Sequence, residues 1–208
     1  MAFYVAHLVF LIKSGELPPS QFFDDGVGFE WSADFMATDG DPNFGSKDSR
    51  IVIVEFADFT CPACQQAHSV VNEIRKDYGD KVFFVFRDFP VVSNTSASLL
   101  AAMAGECAHE QGRFWQMHDK IFANQQLINE NQLTIYALQI GLNGEQFSNC
   151  LKNGKYLEEI RTDLNDAYLA EVKATPTFFI NGKKIEGAMP LANFEKIITY
   201  QQSLDEKK

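Results

Sequence analysis

Positive charge is scarce in this sequence. Eighteen Lys and Arg stand against 28 Asp and Glu, a formal net charge of −10. The deficit argues against a nucleic-acid binder, which needs a basic patch, and no nucleic-acid partner is expected. It argues equally against docking by charge on an anionic membrane surface; solubility is its plain consequence. Cysteine is also sparse. Four residues, Cys61, Cys64, Cys107 and Cys150, do not make a disulfide scaffold in a chain of 208. Internal repeats and low-complexity segments are lacking. So is an apolar run long enough to cross a bilayer, which takes ~20 residues. The run from Ala2 to Ile12 stops at Lys13. It has neither a basic n-region nor a small-residue cleavage site. Three readings of it stand: a truncated membrane anchor, part of a longer secretory segment, or a helix packed on the domain.

What the chain does have is apolar mass: 46% hydrophobic residues, 19 of them Phe. That suffices for a substantial core and suits one elaborated domain. Residues 1–40 read as the apolar segment followed by a turn-rich linker, through Pro18-Pro19, Asp24-Asp25-Gly26 and Asp39-Gly40-Asp41-Pro42, with a short strand around Val27 to Trp31. The folded domain is expected over 41–208. Ile51 to Phe56 is a β-branched run that reads as a strand covered on both faces. Thr60 to Pro62 is a turn with proline near the first helical position. Ala67, Val70, Val71, Ile74 and Tyr78 then share one helical face, and Gly79 ends the helix. Val82 to Phe86 is the next strand, completing a βαβ unit with a parallel pair.

Helical patterns fill about 93–172. They comprise an apolar segment from Ser96 to His109, and stripes at Leu133/Tyr136/Ala137/Ile140, Phe147/Cys150/Leu151 and Leu157/Ile160/Leu164/Ala167/Tyr168. The β signal returns at Thr177–Ile180 and Lys183–Ile185. These flank Asn181-Gly182, a dipeptide that favours a type I′ hairpin. A last helix covers about Pro190 to Gln201. The order is β-α-β, helical block, β-β-α. The class is α/β, with a helical insertion between the two halves of the core.

Cys61-Pro62-Ala63-Cys64 sits at the strand-to-helix junction. At a helix N-terminus the orphan N–H groups and the positive dipole end favour a thiolate, the species that attacks disulfides. Cys64, one turn in, suits the resolving role, and Pro62 fixes the backbone between them. The same spacing also serves zinc, and His68 on the same helix could make a third ligand. No second C-x-x-C or H-x-x-x-H accompanies the pair, and the βαβ context favours redox chemistry without a metal. Soft thiolates would also suit a copper carrier, the reading from another class.

The stretch Val54-Glu55-Phe56-Ala57-Asp58-Phe59-Thr60-Cys61-Pro62-Ala63-Cys64 resembles the active-site segment of the DsbA-like thioredoxin-fold oxidoreductases. Ala174-Thr175-Pro176-Thr177-Phe178-Phe179-Ile180-Asn181-Gly182 resembles their cis-proline loop. Glu106-Cys107-Ala108, Phe114-Trp115 and His118-Asp119 resemble the DsbG- or BdbD-like branch. The similarity covers about 41–201. It implies Cys61 as nucleophile, Cys64 as its resolving partner, a cis bond at Pro176 preceded by Thr175, and a loop there that binds the substrate backbone. Glu55 matches the family's buried carboxylate; a charge inside a strand is costly unless it has a task, here proton exchange with Cys64. A strand-end Glu55 reaching solvent is the alternative. Phe59, Pro62 and Ala63 are candidates for a substrate groove, with core packing as the other reading of Phe59.

The resemblance also implies a bridge between Cys107 and Cys150, the alternative being two buried thiols. No cofactor is expected beyond the Cys61–Cys64 disulfide itself. The expected partners are reduced or unfolded proteins and a membrane-bound or thioredoxin-like protein that resets the pair. The expected location is outside the cytoplasm, where disulfides persist. Ala63 supplies no additional donor toward the thiolate, so a moderate oxidant is the expectation, with reductase or isomerase as the alternative.

Overall fold

The computed structural model describes residues 40–91 and 95–205. The N-terminal apolar run and the strand expected at Val27 to Trp31 lie outside the described residues. Among the described residues five strands form one sheet: β1 (Asn43–Gly45), β2 (Val52–Ala57), β3 (Phe83–Asp88), β4 (Thr177–Ile180) and β5 (Lys183–Glu186). The spatial order is β1-β3-β2-β4-β5. β2 and β3 run parallel, as a βαβ crossover requires, and the remaining pairs are antiparallel. The helices are α1 (Pro62–Asp77), α2 (Thr95–His109), α3 (Phe114–Phe122), α4 (Glu130–Gln139), α5 (Gly144–Lys152), α6 (Leu157–Leu169) and α7 (Leu191–Asp205), with a 3-10 turn at Gln125–Leu127.

The sheet is covered on both faces, which is why β2 and β3 read as unbroken apolar runs. Ile53 and Phe84 join Ala67, Val71 and Ile74 of α1 and Phe194, Ile197 and Ile198 of α7. Val54, Phe56, Phe83 and Val85 point the other way, onto Ala167 and Ala170 at the end of α6. A third cluster fills the insertion and reaches the sheet through Ala57, Phe59 and Phe86. The active-site turn therefore lies where insertion and sheet meet.

The hairpin turn has positive φ at both centres, 48° at Asn181 and 80° at Gly182, as a type I′ turn demands. Asn181 also fixes the strand start: its Oδ1 accepts from the Val52 N–H at 2.8 Å. Two details depart from expectation. β1 is a three-residue edge strand on β3, too short for any pattern. Tyr168 was expected inward but is 63% exposed, because it sits at the margin of the α6 stripe and meets Phe89 only edge-on.

The insertion is tied internally by a disulfide between Cys107 on α2 and Cys150 on α5, with Cα atoms 5.9 Å apart. α6 is tied to the sheet by charge. Arg87, fully buried at the end of β3, donates from Nε to Asp163 at 2.5 Å and from a terminal nitrogen to Asp166 at 2.7 Å. Asp163 also accepts the Asp88 N–H at 2.7 Å, so one carboxylate binds both side chain and backbone of the strand.

Candidate active site

β2 ends at Ala57, and Asp58 governs the turn that follows. Its Oδ1 accepts from the Thr60 N–H at 2.7 Å, the Thr60 hydroxyl at 2.8 Å and Ser98 Oγ at 2.8 Å. Its Oδ2 accepts the Val91 N–H at 3.0 Å, and its carbonyl accepts the Cys61 N–H at 3.0 Å. The turn is thus built on one buried carboxylate satisfied by four donors. Asp58 was passed over in the sequence, though Asp-Phe-Thr is an Asx-turn signal that could have found it.

Cys61 is the N-cap of α1, extended at φ −76° and ψ 125°, with Pro62 entering the helix behind it. Pro lacks the N–H that would be an orphan there. The N–H groups of Ala63 and Cys64 then face the half-buried Cys61 sulfur. The Cys61 thiol is lowered from 9.0 to about 5. The hydrogen bond from the Cys64 thiol is the largest cause, opposed by partial burial and assisted by the Thr175 side chain and those two backbone N–H groups. Cys64 is driven the opposite way, foremost by burial, then by its bond to Cys61 and the nearby Glu55 charge. One turn of helix therefore holds one thiol that ionises readily and one that keeps its proton.

The loop before β4 closes over the pair. The Thr175–Pro176 peptide bond is cis, and Cys61 Sγ lies 3.3 Å from the Thr175 carbonyl oxygen. Pro176 is buried, while Thr175 is half-exposed beside the sulfur. Glu55 sits beneath, on the β2 face that carries Ile53 and Ala57. It is 2% exposed, one carboxyl oxygen has no hydrogen-bond partner, and burial pushes it up to about 8. The solvent-reaching alternative for Glu55 is thereby excluded.

Two open readings are decided. Phe59 does not line an open groove. It is 1% exposed and its ring lies among Phe86, Phe114, His118 and Phe122, because the insertion closes over the turn's inner side. Pro62 is exposed and Ala63 half-buried at the mouth. His68 does not join the cysteines either. It turns toward α3, where its Nε2 lies 3.1 Å from Asp119 Oδ1. His118 Nδ1 donates to the same oxygen at 3.0 Å and Arg75 to Asp119 Oδ2 at 2.6 Å. This network fastens α1 to α3, and the guanidinium occupies the carboxylate. The buried His118 ring is pushed down to about 4, mainly by desolvation, so it remains neutral.

One residue at the site had no signal in the sequence. Gln125, in the 3-10 turn, donates from Nε2 to the carbonyls of Phe59 at 2.9 Å and Cys61 at 3.0 Å. It lies in a polar stretch, Asn124-Gln125-Gln126, without periodicity.

A βαβ-ββα sheet with Cys-X-X-Cys at the first strand-to-helix turn and a cis-proline facing it defines a thioredoxin-fold protein with a dithiol centre. Residues 37–200 match the thioredoxin family, and the chain belongs to it, in the DsbA-like form. Among solved structures it resembles oxidised BdbD from Bacillus subtilis, with TM-score 0.71, 25% identity, and coverage of 86% of this chain and 100% of that one. It superimposes similarly on α-DsbA1 from Wolbachia pipientis, with TM-score 0.72, 23% identity and the same coverage, a likeness of fold. Among curated proteins it is 36% identical over 151 residues to Na(+)/H(+) antiporter NhaA 1 of Mycobacterium sp. strain KMS. It is 37% identical over 143 residues to Na(+)/H(+) antiporter NhaA 3 of Salinispora tropica. The matches cover 72% and 69% of this chain but only 25% and 22% of those antiporters, so the chain spans about a quarter of their length.

Proposed function

We propose that this protein is a thiol–disulfide oxidoreductase that introduces disulfides into protein substrates. The observation carrying the reading is the geometry of one helical turn: the half-buried Cys61 caps α1 with its sulfur 3.3 Å from the Thr175 carbonyl of the cis-proline loop, and the buried Cys64 lies behind it, an arrangement that lowers the first thiol and raises the second. In the oxidised enzyme a substrate thiolate attacks Cys61 Sγ and breaks the Cys61–Cys64 bond. The departing Cys64 sulfur takes a proton, which the buried Glu55 carboxyl is placed to supply. A second substrate thiolate then attacks the substrate sulfur of the mixed disulfide, and Cys61 leaves as a stabilised thiolate. Two electrons pass from the substrate to the cysteine pair, and a redox partner must remove them. Thr175 and Pro176 bind the substrate's extended backbone alongside Cys61.

The direction follows from which form is stabilised. Helix-end donors favour the thiolate and therefore the reduced enzyme, so the disulfide is a willing oxidant. Work of this kind belongs outside the cytoplasm. The BdbD structure it resembles is of an oxidised form, which accords with the reading. Replacing Cys64 by Ser tests the activity: a mixed disulfide on Cys61 with reduced protein should accumulate, and its absence refutes the reading. A redox titration tests the direction. A potential well above −200 mV fits an oxidase; one near −270 mV, the value of thioredoxin, makes the enzyme a reductase.

A further inference from the structure

We infer that Gln125 is a positioning residue for the redox centre, acting on Cys61 through the backbone of the turn. The inference rests on the proposed thiol chemistry and extends it to a residue of the insertion. Gln125 donates from one nitrogen to two carbonyls, those of Phe59 and Cys61, on either side of Thr60. The Cys61 carbonyl also accepts the Gln65 N–H at 3.1 Å, the bond that opens α1. The contact is returned, since Gln65 Nε2 donates to the Phe122 carbonyl at the end of α3 at 2.7 Å. The turn is thus clamped from both sides, by Asp58 and Ser98 on one and by the 3-10 turn on the other.

Two physical consequences follow. The donor offsets the negative ends of two peptide dipoles beside the sulfur, which favours a thiolate there. It also holds Cys61 in the extended N-cap conformation, in which the Ala63 and Cys64 N–H groups can reach the sulfur. A carboxylate at the same place would do the reverse. It cannot donate to either carbonyl, and it adds negative charge near the thiolate.

The test uses the full chain carrying Gln125→Ala or Gln125→Glu, with Cys61 alkylation by iodoacetamide measured against pH in the reduced protein. The midpoint should rise by about half a pH unit or more in Gln125→Ala and further in Gln125→Glu, because a lost donor and an added charge both disfavour the thiolate. Thermal unfolding of the oxidised forms should fall only by the modest amount that two lost side-chain hydrogen bonds account for, and the alkylation is read well below that temperature. Superimposable alkylation profiles in all three proteins overturn the inference and leave the proposed function standing. A wild-type midpoint near that of free cysteine would instead defeat the proposed function.

Discussion

The Cys64 thiol is the largest single contributor to the acidity of Cys61, and Thr175 and two backbone groups add to it. Removing that thiol therefore separates donor from scaffold. Cys64→Ala should raise the Cys61 alkylation midpoint more than Cys64→Ser, whose hydroxyl can still donate; equal midpoints would assign the acidity to the helix end alone. Glu55 offers a second check through pH. Its native value, about 8, lies above the ordinary glutamate value of 4.5. Below pH 4.5 both folded and unfolded chains hold the proton, so burial carries no ionisation penalty there. Between 4.5 and 8 the unfolded chain releases the proton while the native protein keeps it, and stability falls as pH rises. Glu55→Gln should remove that decline. Urea unfolding at pH 9 should show the variant more stable by on the order of 5 kcal/mol, with the difference vanishing near pH 4. Exchange by the variant should also lose its dependence on the Glu55 proton; an unchanged pH profile would reject the proton-transfer role. Glu55 was legible in the sequence because a carboxylate inside an apolar run is costly. Phe59 was less so. An aromatic beside a reactive turn fits groove and core alike, and only the insertion closing over it decides.

The strands of the sheet's centre were legible as elements because both of their faces are buried, which leaves long β-branched and aromatic runs. β1 was not, since Asn43, Phe44 and Gly45 carry no period. The helices of the insertion followed their stripes, except at margins such as Tyr168. Contacts between elements left little trace. Nothing in the spacing of Arg87, Asp163 and Asp166 announces that a strand end and a helix share a buried charge cluster. Arg87→Ala leaves those carboxylates without their cation in a dry place, and it should cost about 3–5 kcal/mol in urea unfolding. Arg87→Met with Asp163→Leu, which removes the cation together with its nearest carboxylate and leaves Asp166 and Asp41, should recover part of that loss. A double variant no more stable than the single would argue against the charge pairing as the cause.

At the scale of the molecule, the helical insertion and the thioredoxin core are welded by aromatic packing around Phe59 and by side chains reaching the active-site turn. The Cys107–Cys150 bridge joins α2 to α5 within the insertion. Replacing both cysteines by Ala should lower stability by about 3–4 kcal/mol, the chain-entropy value for a loop of 43 residues. The Cys61 alkylation midpoint should stay where it is, and a shift would mean the bridge also tunes the redox centre. The proposed chemistry depends on a sulfur made acidic by where the chain places it. Its most direct test is the pH dependence of Cys61 alkylation in the reduced wild-type protein. A midpoint near 5 is the predicted result; one near 8.5, the value of an ordinary cysteine, would contradict it.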